Sequence, residues 1–555
     1  MSATGIVSPF SLLDALITLA SLVATLWIGL RVKRYVGSIE DYLVANRGMG
    51  LYVGAASLLS TEVGIITYMY QAQFGFVAGF SAFATGVITL AVCLVVGRTG
   101  FVITRLRELE ILTVPEYFEK RYGRPVRVLA GLLMAFGGSL NLGIFPIIEA
   151  RFLAIVTGIP SAYLGWTMAG LLLLALVYTA VGGMVSLIVT NYVQYVFLAA
   201  GTLIVTVACL RATGWGAMVG AVRSHLGGHG FDPVQDLGWG FLLWQVLLWV
   251  ALMTVWQSVA MRTFSTRDPA TGKKMFTLTG FLFLGRAIIP MAWGIAALAF
   301  FWGRAEPAAP PAPATRTAQI EQVEARLDAG FRRDLDEGRI GRLLPQLEQL
   351  ERLAGSERGP AATRAAERAQ ERRGEIGLLA MPWMLAATLP SGLLGLMVAG
   401  MLAASISTYA GYFLGWSSII AQDIVAPLAG GELSGAARLR LTRVTVVLLT
   451  VFIMIWSLVY DLPGPAYFYL QVTANLFMAP TLIAVVGGLY WRRASATGAV
   501  LAFVLGAVTS LGYLVPALKL GVATAGNLSW ALAITGFVAG SLLVPARARP
   551  AEARP

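Results

Sequence analysis

The sequence is short of charge. Only 13% of its 555 residues are Asp, Glu, Lys or Arg, against roughly 25% in soluble domains, which excludes a set of water-soluble domains. Two cysteines, Cys93 and Cys209, are too few for a disulfide scaffold and lie in different apolar stretches as packed thiols. The 24 prolines follow no Gly-X-Y period, so the chain is not collagen-like. Both histidines, His225 and His229, sit in one loop, which leaves no apolar stretch with an axial haem ligand or a His-rich metal site. There is no GxxxxGK(S/T) loop, so ATP hydrolysis is not the energy source. What the chain has instead is apolar surface: 57% hydrophobic residues and a mean hydropathy of +0.73. An all-α polytopic membrane protein is the class that remains.

A helix needs about 20 apolar residues to cross the hydrocarbon core, and the sequence offers about thirteen such spans. They fall near 9–30, 51–75, 78–100, 126–155, 161–184, 188–211, 238–261, 275–302, 381–420, 443–461, 466–490, 496–517 and 528–546, numbered here from 0 to 12. The stretch 381–420 is too long for one crossing, and its membrane helix is expected to begin near Leu389. Lys and Arg are retained on the cytoplasmic side in short loops. They cluster after span 0 (Arg31, Lys33, Arg34, Arg47), after span 2 (Arg98 to Arg127) and after span 6 (Arg262 to Lys274). The amino terminus is therefore expected outside and the carboxyl terminus inside. Span 0 has no charged residue before it and several basic ones after it, which reads as a retained anchor and not a cleaved signal.

The excess of 41 basic over 29 acidic residues does not imply nucleic acid. Residues 304–375 hold 13 arginines and 13 acidic residues, so the excess belongs to the membrane loops. This segment opens with Pro307, Pro310, Pro311 and Pro313. It then places Ile320, Val323, Leu327, Phe331 and Leu335 at the spacing of an amphipathic helix, as expected of a short helical hairpin or partly disordered insertion outside the membrane. The organisation expected is a leading helix and loop (1–50), a first repeat with the start of a second (51–303), the insertion (304–375), the rest of the second repeat (376–494) and two trailing helices with a short tail (495–555).

An ionisable side chain inside a span costs roughly 2.5–3.5 kcal/mol or more and marks a functional candidate. Glu62 and Arg286 lie deepest, either facing a cation and an anion or pairing with each other. Glu149 and Arg151, two residues apart, point to different helix faces and are expected to pack or snorkel in the outer half of the membrane. Span 1 carries a polar knot from Ser57 through Ser60, Thr61, Glu62, Gly64 and Thr67 to Tyr68. A helix broken at such a place turns its carbonyls toward a cation. Span 8 carries Ser405, Ser407 and Thr408 beside Ala403 and Ala404. These hydroxyls suit an oxygen cage for a hard cation, or bond to their own helix.

The run Tyr178-Thr-Ala-Val-Gly182-Gly183-Met184, followed by Thr190-Asn191 and Gln194, resembles the sodium/solute symporter family, which includes the proline and sodium/sugar symporters. Thr113-Val-Pro115-Glu116 through Arg121-Tyr122, Leu389-Pro390-Ser-Gly392 through Gly395, and Tyr490-Trp491-Arg492-Arg493 through Ala499 resemble other family motifs in the same order. Together they cover about 50–500 outside the insertion. The resemblance implies a LeuT-like inverted-repeat fold, with spans 1–5 and 6–10 as repeats and alternating access around a midplane site. It implies a sodium ion held by the carbonyls of Ser60, Val63 and Ala404 and the hydroxyls of Ser407 and Thr408. Glu62 then shapes the field of that site or carries a proton, and Thr67, Tyr68, Trp249, Arg286 and Gln471 surround the solute. Asn191 stands where members with an additional cation site carry Asp, and Ala410 where two-sodium members have a hydroxyl, so one sodium per cycle is expected. Trp249 and Trp256 replace asparagines of the sugar pattern.

The expected activity is sodium-coupled import of a small solute in a bacterial-type inner membrane, with Arg286 suited to a carboxylate-bearing one. Proton coupling through Glu62 and a solute sensor without transport are the alternatives. An enzyme is not expected, since no nucleophile, base and orienting group assemble from the motifs. The expected partners are the solute and the lipid bilayer, with no nucleic acid and no obligate protein partner. Neither a signalling domain nor a long tail is expected after Pro545.

Overall fold

The computed structural model describes residues 8–32, 38–312, 314–429, 433–460, 462, 464–514 and 520–545. Lys33, Arg34, Pro313 and the tail after Pro545 lie outside the described residues. Among those described the secondary structure is helical, apart from an isolated parallel bridge between Met49 and Thr266.

The first half runs α1 (Leu12–Val32), α2 (Ile39–Val44), α3 (Leu51–Thr61), α4 (Ile65–Ala78), α5 (Phe83–Thr99), α6 (Ile103–Glu108), α7 (Val114–Tyr122), α8 (Arg124–Leu142), α9 (Phe145–Thr157), α10 (Leu164–Thr213) and α11 (Trp215–His225). It continues with α12 (Pro233–Val255), α13 (Gln257–Ser265), α14 (Pro269–Trp302), α15 (Arg316–Asp336), α16 (Ile340–Gly355), α17 (Pro360–Thr388) and α18 (Leu393–Ile419). The chain closes with α19 (Ala426–Leu428), α20 (Gly435–Val459), α21 (Ala466–Tyr490), α22 (Ala496–Leu514) and α23 (Val522–Leu543). Among the described residues eleven helical stretches are long and apolar enough to cross a membrane, with Leu51–Thr61 and Ala496–Val508 as shorter apolar helices. Their outer faces expose Leu173, Val177, Leu203, Leu448 and Ile455, as suits side chains solvated by lipid.

Two breaks organise the interior. The stretch expected as one span at 51–75 is two half-helices, α3 and α4, separated by Glu62, Val63 and Gly64, with Gly64 fully extended (φ −129°, ψ −177°). The second break is at Trp256, whose backbone leaves helical geometry (φ −63°, ψ 120°) between α12 and α13. Both broken helices begin one of the expected repeats, and each break frees backbone groups at the depth where lipid offers no partners. The expected spans 4 and 5 join as α10, which turns sharply at Gly183 (φ 54°). The long stretch at 381–420 divides between α17 and α18, at Leu389–Gly392.

The insertion forms three helices. Ile320, Val323, Leu327, Phe331 and Leu335 of α15 are all buried, against an apolar face of α16 that includes Leu343, Leu347 and Leu350. Arg368 and Arg372 bind Asp328 at 2.6 and 2.9 Å, and Arg373 binds Glu351 at 2.6 Å, tying α17 to α15 and α16. Residue 375, expected as the insertion's end, falls inside α17, which continues unbroken to Thr388. Cys93 and Cys209 are buried free thiols.

Candidate functional site

The break between α3 and α4 lies against α18. The amide of Ile65 donates to Ser405 Oγ at 2.8 Å. A Cβ placed on Gly64 would lie 3.0 Å from Thr408 Oγ1 and 3.2 Å from Ser405 Oγ. Broken geometry also diverts amides that a continuous helix would use. The Gly64 amide donates to Thr67 Oγ1 at 3.4 Å, and the Thr67 amide to the Gly64 carbonyl at 3.0 Å. The carbonyls of Ser60 and Val63 thus lose the amides four residues on that would occupy them in a helix. On α18, Thr408 Oγ1 donates to the Ala404 carbonyl at 3.1 Å, and Ser407 Oγ to Asn191 Oδ1 at 2.6 Å. Ser60 Oγ donates to the Asn191 carbonyl at 3.0 Å, so α10 closes the third side. The fold therefore sets the break, with its freed Ser60 and Val63 carbonyls, against the segment of α18 that carries Ala404, Ser407 and Thr408, and oxygen atoms are the ligand chemistry a hard monovalent cation takes.

A cavity of about 60 Å³ adjoins this junction, and Glu62, Thr67, Thr408, Trp249, Arg286 and Gln471 all line it. Arg286 Nε donates to the Glu62 carbonyl at 2.7 Å and its Nη2 to the Tyr70 hydroxyl at 3.2 Å. Its guanidinium carbon stands 6.0 Å from the Trp249 ring centre and 5.1 Å from that of Phe283. The carboxylate of Glu62 takes no hydrogen bond from Arg286. Its Oε2 accepts from the Tyr412 hydroxyl at 2.9 Å, and its Oε1 is without a partner. The buried Arg262 lies nearby, donating to Thr61 Oγ1 at 2.6 Å and to the Ser258 carbonyl at 3.0 Å. Trp249 Nε1, Trp256 Nε1 and Gln471 Oε1 are also buried without partners, and all three residues line the cavity. Unmet buried polar atoms are uncommon and costly, so four on one cavity point to a polar ligand.

Tyr68 is not among the cavity's residues. Its hydroxyl is 2.5 Å from Thr202 Oγ1 and its ring stacks on Trp293 at 5.2 Å, while Tyr70 lines the cavity. Helical spacing explains the difference: Thr67 and Tyr70 share a face at i and i+3, whereas Tyr68 is rotated about 100° from Thr67. The same spacing, applied from Thr67, would have found Tyr70 in the sequence. Tyr412 was missed because its role arises only when α18 meets the break.

Glu149 is placed unlike the outer-half packing expected of it. It is fully buried, and its Oε1 accepts from the Ile66 amide at 3.2 Å and from Ser405 Oγ at 2.9 Å. The proline-led helix α9, which follows a kink at Gly143 and Ile144, aims this carboxylate at the amino-terminal end of α4.

Two broken helices around a small cavity, with an oxygen-rich break beside it, define a secondary transporter of the inverted-repeat kind. A family model described as "Sodium:solute symporter family" matches residues 42–323 and 365–506, and the chain belongs to that family. The residues between the matched stretches, 324–364, lie within α15, α16 and the start of α17. The chain is 22% identical over 494 residues to a sodium/glucose cotransporter of Vibrio parahaemolyticus, covering 86% of this chain and 80% of that protein. It is 26% identical over 513 residues to the bovine (Bos taurus) sodium/mannose cotransporter SLC5A10, covering 85% and 73%. The solved structure of a Na+-coupled sialic acid symporter in a substrate-bound outward-open state superposes with a TM-score of 0.72 at 17% identity, covering 97% of this chain and 99% of that one. The chain is a multi-pass membrane protein of a transporter family, not an enzyme, and its activity is sodium-coupled movement of a small-molecule solute.

Proposed function

We propose that the protein imports a small carboxylate-bearing solute together with one sodium ion, by alternating access around the cavity beside the α3–α4 break. The observation that carries the solute class is Arg286. Its half-buried guanidinium is held at the cavity wall by the Glu62 carbonyl and Tyr70, and a guanidinium so placed is suited to a carboxylate through charge-assisted hydrogen bonds. The two cationic groups Arg286 and Arg262 face the single carboxylate of Glu62, so an anionic ligand balances the charge. The indole N–H groups of Trp249 and Trp256 add donors, and Gln471 adds an acceptor. The relatives named for sugars do not lend their substrate, because Trp249 and Trp256 stand where the sugar pattern resembled above has asparagines. A site without those polar groups disfavours a polyol.

In this reading sodium sits among Ser60, Val63, Ala404, Ser407 and Thr408, and Glu62 shapes its field without needing to touch it. Sodium binding stabilises the state that admits solute, which lowers the population cost of solute binding. The distribution of Lys and Arg supports an orientation with the amino terminus and the insertion outside. Residues 51–303 and 376–494 then form the transport core, and 495–555 trail it.

Tryptophan fluorescence of the purified protein tests the proposal, with sodium titrated first and then amino acids, monocarboxylates and sugars, in sodium and in choline buffer. Saturation by a carboxylate in sodium alone is the expected result. Saturation by a sugar would overturn the solute class, and binding at low pH without any sodium effect would move the coupling to a proton at Glu62.

A further inference from the structure

Glu149 is a buried carboxylate that sodium-coupled transport, as described so far, leaves without a task. Its surroundings are unequal on its two oxygens. Oε1 accepts two hydrogen bonds, from the Ile66 amide and Ser405 Oγ. Oε2 is buried and accepts none. The hydroxyl of Tyr409, one turn beyond Ser405, is likewise buried and stands beside this carboxylate. Among the described residues no arginine, lysine or histidine is paired with Glu149. Asp423, another buried acid of the bundle, has Arg127 at 2.7 Å, and Glu62 lies near Arg286 and Arg262.

An isolated charge in a membrane interior needs compensation. The amino-terminal end of α4 supplies part of it, since a helix dipole amounts to roughly half a positive charge there. The remainder has an evident source. Ser405 Oγ, bonded to Glu149, and Thr408 Oγ1 both lie within 3.2 Å of the point a Gly64 Cβ would occupy. The carboxylate is therefore one hydroxyl away from the junction of oxygens at the break.

We infer that Glu149 is the fixed negative charge of the sodium site: its carboxylate, capping α4 and joined to α18 through Ser405, sets the affinity of that site for sodium. The candidate ligands on α3, at the break and on α18 are neutral carbonyls and hydroxyls, which hold the ion by dipoles alone. A carboxylate one hydrogen bond behind them adds a full charge in a low-dielectric interior, where such a charge acts far more strongly than in water. Glu149 is a positioning and affinity-setting residue, and the inference rests on the sodium reading above.

The test separates charge from capping. Glu149→Gln keeps an acceptor oxygen for the Ile66 amide and for Ser405 Oγ but removes the charge; Glu149→Asp keeps the charge with a shorter reach. Sodium chloride is titrated into each purified protein at constant ionic strength with choline chloride, and tryptophan fluorescence and thermal midpoint are followed. The expected result is a half-saturating sodium concentration at least about tenfold higher in Glu149→Gln, with Glu149→Asp between it and the parent protein. A Glu149→Gln protein that answers sodium as the parent does, or an Asp variant weaker than the Gln variant, would overturn the inference and leave Glu149 a helix cap. If Glu149→Gln does not fold, an Asp variant weakened a hundredfold or more overturns it, and one within tenfold of the parent supports it. A parent protein with no sodium response would instead remove the sodium reading itself.

Discussion

Arg286 directs its Nε proton to the backbone carbonyl of Glu62, 2.7 Å away, and not to that residue's carboxylate. The bond links the solute cavity to the unwound stretch of the first broken helix, since the carbonyl belongs to the residue before Val63. One side chain therefore lines the cavity and holds the backbone that presents candidate sodium ligands.

Replacing Arg286 should accordingly disturb both ligands. Lysine retains a charge but not the planar fork that reaches Glu62 and Tyr70 together. Charged hydrogen bonds of this kind are worth about 1.5–3 kcal/mol, so Arg286→Lys is expected to weaken carboxylate binding about tenfold or more, and Arg286→Met to abolish saturation. Equilibrium binding of labelled solute at saturating sodium checks this. Unchanged affinity in Arg286→Met would remove the basis for a carboxylate.

Thr408 offers a cleaner separation. Its hydroxyl bonds to the carbonyl of Ala404, one turn back, an ordinary arrangement for a threonine in a helix. If that is its whole role, Thr408→Ala changes little beyond stability. As a sodium ligand its loss should raise the half-saturating sodium concentration about tenfold, equivalent to about 1.4 kcal/mol, with solute affinity at saturating sodium nearly unchanged. Thr408→Ser should restore the parent behaviour, and a sodium titration of the three proteins decides.

The insertion docks on the transport core partly through His225, whose ring lies on Trp302 with centroids 3.7 Å apart and whose Nδ1 is 3.4 Å from a Glu348 carboxylate oxygen. Burial holds the His225 pKa below its ordinary value, with Glu348 opposing that shift only in part. A depressed histidine pKa means that the undocked form binds a proton more readily. Docking is therefore at full strength above the ordinary histidine pKa near 6.5 and weakens as pH falls through it toward the lower docked value. Hydrogen exchange of α16 should be faster at pH 5.5 than at pH 7.5, after correction for intrinsic rates, and the difference should vanish in His225→Gln.

Much of this architecture was legible in the residues. The polar knot around Glu62 located the break because an apolar helix has no other use for Ser60, Glu62 and Thr67 together, and the Leu389–Gly392 turn divided an overlong span. Other features depend on contacts between distant segments. Tyr70 follows from Thr67 by helical spacing, but which face of α4 Thr67 turns to the cavity depends on packing against other helices, which the knot does not specify. Glu149 looked peripheral because its partners, Ile66 and Ser405, are 83 and 256 residues away in sequence. The last dense charge, Glu375, suggests an end to the insertion, yet no residue between there and the apolar stretch stops a helix, so α17 runs through to Thr388.

The central claim is coupling of an anionic solute to sodium through the α3–α4 break. Its most direct measurement is uptake of labelled carboxylate solutes into proteoliposomes under an imposed inward sodium gradient, with choline replacing sodium at fixed pH as the comparison. The account predicts concentrative uptake that requires external sodium, collapses when the gradient is dissipated, and is lost in Arg286→Met. Uptake that persists in choline and follows a proton gradient would contradict it.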